Sequence, residues 1–344
     1  MACAAPWPAP VIGRRSFLGL AAGALVLPQA ARSGEEKRFR IGFANLTEDA
    51  GARLEGLGFT GADLRSSFVI AAREQPVTMV FYDNDRNREK TLANADDAIA
   101  RKLDLYIQYC DDSGANAEIA KRMKAAGIPV LAVIYPVPGA PLYGPDNALA
   151  GRIAGDALAK LANAVWRGRP AAVALAGDLG NGGDHVPERA DAIAAALKEE
   201  LPAAAQTRLD SNGNPAQAEA QLRRFAAAQP GTKLLIAALD DTTALMAKAA
   251  VEAAGRTADT AIVSLGCDRS VHGGSNDKKE LDPNNRGSIL IGSVAYLLDR
   301  YGYDLLPLAL KMLRGEAVPP RTATRHVLVT ASTVFALYPP IDMN

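Results

Sequence analysis

The residues of this sequence that could do chemistry are short polar side chains that follow apolar runs. After Arg40–Ala44 comes Asn45-Leu46-Thr47-Glu48-Asp49, and after Leu105–Tyr109 comes Cys110-Asp111-Asp112-Ser113. Pro129–Ile134 is followed by Tyr135, and Ala172–Ala176 by Gly177-Asp178-Leu179-Gly180-Asn181-Gly182-Gly183-Asp184-His185. Lys233–Ala238 leads to Asp240-Asp241-Thr242, and Ala261–Leu265 to Cys267-Asp268-Arg269. Carboxylates, amides and phenols in such a set bind hydroxyls or amines, and a carboxylate in a cleft can also move protons. Taken singly, each Asp or Ser here reads first as a helix N-cap, satisfying orphan backbone amides. Their repetition after strand upon strand points to a hydrogen-bonding cleft.

Other chemistries are weakly supported. Gly177–Gly183 sits where a phosphate-cradling loop would, but fits neither G-x-G-x-x-G nor the Gly-Lys-Ser/Thr loop, and reads as a surface loop. His185, His272 and His326 show no H-x-x-x-H spacing, and Cys110 and Cys267 no C-x-x-C, so no metal ligand is assigned. A G-x-S-x-G elbow and a Cys–His signature are both missing. No catalytic residue and no cofactor are expected.

The elements that must position the polar residues follow from periodicity. Eight short runs read as strands: Arg40–Ala44, Thr78–Tyr82, Leu105–Tyr109, Pro129–Ile134, Ala172–Ala176, Lys233–Ala238, Ala261–Leu265 and Ile289–Val294. Most are continuously apolar, as in parallel strands buried on both faces. Between them lie amphipathic patterns at Arg88–Lys102, Ala117–Ala126, Ala148–Trp166, Pro187–Glu200, Pro215–Ala228 and Thr242–Ala254. Such alternation predicts an α/β fold with right-handed crossovers and parallel sheets, whose ligands bind beyond the carboxyl ends of the strands. The proline- and glycine-dense Pro136–Asn147 reads as a crossing between two lobes.

The 344 residues suffice for two lobes with real cores. Net formal charge is zero, so no basic surplus points to nucleic acid. Gly13-Arg14-Arg15-Ser16-Phe17-Leu18, the apolar Leu18–Leu27 and the small residues Ala30, Ala31 and Ser33 form a twin-arginine export signal, placed at 1–33. The apolar run is about half the ~20 residues a spanning helix needs. Removing Arg14, Arg15 and Arg32 leaves 35 basic and 38 acidic residues, a net −3. The expected location is the periplasm. Export of a folded chain suits two distant cysteines that form no disulfide framework, and would permit a cytoplasmically loaded cofactor.

Several stretches, in order along the mature chain, resemble the type I periplasmic binding proteins, the ribose- and galactose-binding group. They are Asp83-Asn84-Asp85 with the helix after it; Ala126-Gly127-Ile128-Pro129-Val130; Asp146-Asn147 with Gly151 and Gly155; Glu188-Arg189; Leu265-Gly266-Cys267-Asp268; and Tyr301-Gly302 with Leu313-Arg314-Gly315-Glu316-Ala317-Val318-Pro319. The resemblance implies two Rossmann-like lobes joined by three crossover segments, residues 38–144 plus 296–321 and 145–295 plus 322–344. It implies a monomer that traps a small-molecule solute by hinge closure and passes it to an inner-membrane ABC permease, without catalysis. By position, Arg189, Asp240, Asp268 and Tyr296 would face the ligand.

The departures from that pattern bear on the ligand. Where sugar binders place stacking aromatics after the first strand, this chain has Asp49-Ala50-Gly51-Ala52-Arg53, with Phe59 later in a longer loop. Ile134-Tyr135 stands where Asp-Arg is common, and Tyr109, Tyr135, Tyr143 and Tyr296 are candidate substitutes for stacking. For Tyr143 ordinary burial is the stronger reading. The candidate ligand-binding set is Asn45, Glu48, Asp49, Tyr109, Asp111, Tyr135, Asp184, Arg189, Asp240, Asp268 and Tyr296. A sugar or polyol is the expected solute. The acid-rich edge leaves open an amine, a metal complex or a less polar molecule, and a role as ligand sensor for a membrane receptor.

Overall fold

Three largely buried apolar runs, one half-buried edge strand and two three-residue strands build a first sheet. The computed structural model describes residues 38–167, 169–180, 185–273, 279–285 and 287–339, so the segment 1–33 read as an export signal and Asp184 lie outside the described residues. The strands are β1 (Phe39–Asn45), β2 (Val77–Asp83), β3 (Leu105–Gln108), β4 (Val130–Val133), β5 (Leu142–Gly144) and β11 (Arg321–Ala323). They pair in the order β11-β5-β4-β3-β1-β2, all parallel. Helices α1 (Gly61–Ala71), α2 (Arg88–Ala100), α3 (Ser113–Ala126) and α9 (Tyr301–Leu313) complete this lobe.

The second sheet holds β6 (Ala171–Gly177), β7 (Ala205–Asp210), β8 (Lys233–Ala238), β9 (Thr260–Gly266), β10 (Leu290–Ala295) and β12 (Val327–Val329), in the order β12-β10-β9-β8-β6-β7. Only β12 runs antiparallel, against β10. Helices α4 (Asn147–Leu161), α5 (His185–Glu200), α6 (Pro215–Ala227), α7 (Asp241–Ala253), α8 (Arg269–His272) and α10 (Val334–Leu337) complete the second lobe. The fold class is thus two α/β lobes with mostly parallel sheets.

Helix starts are fixed by side chains that accept backbone amides: Asn87, Asp112, Asp146, Asn214 and Asp240, with a full capping box between Thr60 and Asp63. Pro136–Asn147 differs from its sequence reading as one crossing. Leu142–Gly144 pairs with β4 and β11, so only Pro145 and Asp146 pass between the lobes. A second crossing follows β10, and a third, Thr324–His326, follows β11.

The lobes share one continuous apolar core, in which Phe68 of α1 and Leu305 of α9 belong to the same cluster as Leu235 and Leu265 of the second sheet. α1 and α9 touch where Gly302 donates its amide to Ser67 Oγ at 2.9 Å. A Cβ on Gly302 would lie 2.5 Å from backbone atoms of Ser67 and Phe68, too close without moving a helix. Gly302→Ala is therefore expected to destabilise the fold by about 1–3 kcal/mol. Thermal unfolding followed by circular dichroism checks this; an unchanged melting temperature would show that the helices do not meet there.

Candidate functional site

The carboxyl ends of β3, β4, β8, β9 and β10 are followed by Tyr109, Tyr135, Asp240, Asp268 and Tyr296, and α5 brings Arg189 to the same edge. Parallel strands all finish at one side of a sheet, which gathers these residues from distant sequence positions.

Tyr109 and Tyr135 stack with ring centroids 6.1 Å apart. Both donate to one carboxylate, that of Glu55: Tyr109 Oη to Oε1 at 2.6 Å and Tyr135 Oη to Oε2 at 3.2 Å. From the second lobe, Arg189 Nη1 donates to the backbone oxygen of Glu55 at 3.1 Å, and its Nε to Asn147 Oδ1 at 2.7 Å. The guanidinium lies over the Tyr296 ring, 4.8 Å from its centroid, and Tyr296 Oη also donates to Asn147 Oδ1 at 3.1 Å. Arg189 is 2% exposed and Glu55 7%. Among the described residues Arg189 bonds only neutral oxygens. Burial, and then the Glu55 carboxylate, push the Tyr109 and Tyr135 phenols well up. Burial pushes Tyr296 up to about 12 against the pull of Arg189. All three phenols are neutral donors at ordinary pH.

Glu55 lies in the loop between β1 and α1. Leu54, Leu57 and Phe59 of this loop are buried in the shared core, and Leu54 N–H donates to Phe59 O at 2.9 Å, closing the turn. Glu55 holds a left-handed φ of 56°. A Cβ on Gly58 would fall 1.5 Å from Asp268 Oδ2, so only glycine lets the loop lie against that carboxylate.

Asp268, 4% exposed, accepts Ser270 N–H at 2.7 Å. Its own N–H goes to the fully buried Asp241, which also accepts Ser264 Oγ at 2.5 Å and Ser293 Oγ at 2.7 Å. Burial, reinforced by Asp268, holds the Asp241 carboxyl well above the usual range. Asp241 thereby anchors the backbone of Asp268. Beside Asp268 a cavity of about 170 Å³ is lined by residues including Arg53, Gly58, Asp63, Arg269, Ser270 and Asp299. Ser270 Oγ and Asp299 Oδ1 are buried without hydrogen-bond partners, and burial pushes Asp299 up to about 6. Larger hollows, near Pro138 and Met312 and beside α4, lie away from the strand ends.

Asp240 and the remaining described residues of the predicted set are engaged in other contacts. Asn45 Nδ2 donates to Gly61 O at 2.9 Å and anchors the exit of the loop. Glu48 pairs with Arg65 at 2.7 Å, Asp49 turns the chain by accepting Gly51 N–H, and Asp111 pairs with Arg86 on the surface. Asp240 caps α7 through Thr243 N–H and Oγ1, both at 2.7 Å. Glu55, Asn147 and Asp241 are the additions. Glu-Gly-Leu-Gly-Phe at 55–59, an acid between apolar residues and glycines, was the available sign.

Residues 61–317 match the family model of the periplasmic binding protein domain, three quarters of the chain. The chain belongs to the periplasmic binding protein family. The model's match begins after the Glu55 loop. No curated protein matches the sequence significantly. Among solved structures, an ABC transporter solute-binding protein from Mycobacterium smegmatis with bound glycerol is 22% identical, with a TM-score of 0.64, over 87% of this chain and 96% of that one. One from Actinobacillus succinogenes with bound D-allose is 18% identical, with a TM-score of 0.66, over 87% and 100%. One from Bacillus halodurans with bound myo-inositol is 18% identical, with a TM-score of 0.61, over 88% and 98%. These likenesses bear on the fold.

In this family member the three crossings meet at one ring. Asp146 N–H of the first crossing donates to His326 Nε2 at 3.0 Å, and His326 Nδ1 faces Ala295 O at 3.0 Å, at the start of the second. His326 itself lies in the third, its ring centroid 4.7 Å from that of Tyr296. Accepting at Nε2 requires the neutral ring with its proton on Nδ1. Burial lowers the His326 pKa. The folded state therefore binds this proton less tightly than the unfolded chain. Its contribution to stability is full above the ordinary histidine value of about 6.5 and declines as pH falls toward the depressed folded value. His326→Gln is expected to flatten the loss of unfolding free energy between pH 7 and pH 5. Denaturant titrations of both proteins at the two pH values check this; parallel losses would remove His326 as the cause.

Proposed function

We propose that this chain is a periplasmic solute receptor that takes a small sugar or polyol into the cleft between its lobes and delivers it to an inner-membrane ABC permease. The twin-arginine segment within 1–33 exports it, and closure occurs about the three crossings near Pro145, Tyr296 and Thr324. The observation that carries this reading is the convergence of donors and aromatic faces from both lobes at the facing strand ends: Tyr109 and Tyr135 from one, Arg189 and Tyr296 from the other. Hydroxyl-rich ligands need such donors, and aromatic rings cover their apolar faces. The glycerol, allose and inositol bound in the similar structures support the ligand class. Among the described residues no helix is long and apolar enough to cross a membrane, and no three His, Cys, Asp or Glu side chains gather in a way that could hold a metal ion.

The test is a thermal-unfolding screen of the purified exported protein against sugars and polyols. A true ligand at 100 times its Kd stabilises by about 2.7 kcal/mol. Arg189→Lys keeps the charge but loses the planar fork, and is expected to weaken binding about tenfold or more. No stabilisation across the panel would end the sugar and polyol assignment.

A further inference from the structure

The groups expected to meet a ligand already meet something. Tyr109, Arg189 and Tyr296 are almost wholly buried, and what covers the first two is the chain's own loop, residues 53–59. That loop presents one carboxylate and one carbonyl oxygen, both from Glu55. The carboxylate takes the two phenols of the first lobe, and the carbonyl takes the arginine of the second. The groups that bond Glu55 are all hydrogen-bond donors, and one of them is a buried cation whose other partner is neutral.

We propose that Glu55 is a built-in occupant of the ligand site, holding with its carboxylate and backbone carbonyl the places taken by a carboxylate-bearing polyol, an aldonate or uronate, when the loop withdraws. The proposal rests on the cleft being a sugar or polyol site, and it adds the charge of the ligand.

Three observations support it. The first is the donor set. An isolated ion buried without a counter-charge is costly, so a neutral sugar that displaced Glu55 would leave Arg189 the only charge among the groups that Glu55 now bonds, with Asp268 standing apart from them at Gly58, whereas a carboxylate replaces the partner these groups lose. The second is the loop's backbone. Glu55 is a non-glycine residue in the left-handed region at φ 56°, followed by Gly56 at φ 67° and then Gly58. A residue in that region sits above its relaxed conformation, and flanking glycines offer alternatives at little steric cost. The third is the fit at Gly58, which has no room for a Cβ beside Asp268. The loop enters as a close-fitting piece, and a cavity of about 170 Å³ is left beside it.

Displacement sets the expected binding behaviour. An occupant that closes the site lowers apparent affinity by the fraction of molecules in which it is closed. Weakening the occupant must therefore tighten the ligand.

Calorimetric titration of the purified exported protein, and of its Glu55→Gln and Gly58→Ala variants, with a panel of aldonates and uronates and their matched neutral alditols and sugars tests this. The acid is expected to bind wild-type protein about tenfold or more tighter than its neutral counterpart, as charge-assisted bonds outweigh neutral ones. Both substitutions are expected to tighten it further. If neutral compounds bind as well as or better than the acids, the inference falls while the sugar and polyol reading stands. If an acid binds but Glu55→Gln weakens it, Glu55 is part of the grip and its role as occupant falls. If nothing in the panel binds any of the three proteins, both readings fall.

Discussion

Three chain crossings meet at one buried imidazole, and the placement of the candidate site depends on that meeting. His326 takes the amide of Asp146 on one nitrogen and faces the carbonyl of Ala295 with the other. The residue after Asp146 is Asn147 and the residue after Ala295 is Tyr296, and these two side chains bond each other and hold Arg189. One ring thus registers three segments far apart in sequence, and the positions of the arginine, the amide and the phenol follow from it. Both imidazole nitrogens are engaged in opposite roles, so the neutral tautomer is part of the architecture.

On this frame the first loop sets the electrostatics. Glu55 and Arg189 bring opposite charges into a region where neither reaches much water. Each would cost several kcal/mol if left bare. Two phenols, an amide and a backbone carbonyl disperse those charges without a direct ion pair among the described residues. The left-handed backbone of Glu55 costs about 1–2 kcal/mol, less than the hydrogen bonds to its charged group return. Leu54, Leu57 and Phe59 add buried apolar surface on the same short segment. The loop is held by apolar burial at its sides and by polar bonds at its tip.

Much of this fold is legible in the sequence because buried parallel strands are continuously apolar. All eight expected runs lie in strands, with ends shifted by at most one residue. The four remaining strands escape for physical reasons. β7, Ala-Gln-Thr-Arg-Leu-Asp, is an edge strand with half its residues in water, and β5, β11 and β12 have three residues each, too few to show a period. The polar edge was legible as a set but not residue by residue. Asp240 was expected to face a ligand and caps α7, while its neighbour Asp241 organises β9, β10 and Asp268 from inside. Side chains one position apart at a helix start point in different directions, and sequence alone does not say which points inward. Glu55 was missed because a loop has no periodicity, and its role arises only from contacts with residues 54, 80 and 134 positions away.

The acid-rich strand ends spend much of their acceptor capacity inside the fold. Asp112, Asp240 and Asp268 give lone pairs to helix amides, Asp111 and Glu48 to surface arginines, and Asp241 to two serines and an amide. Acceptors used this way are largely unavailable to a cationic ligand, however many the sequence counts. What gathers around Glu55 between the lobes is two phenols with their protons, a guanidinium and an aromatic ring beneath it. The preference of a cleft is set by the groups left over after secondary structure has been satisfied. Around Glu55 those groups are donors, and the chain supplies its own acceptor to meet them.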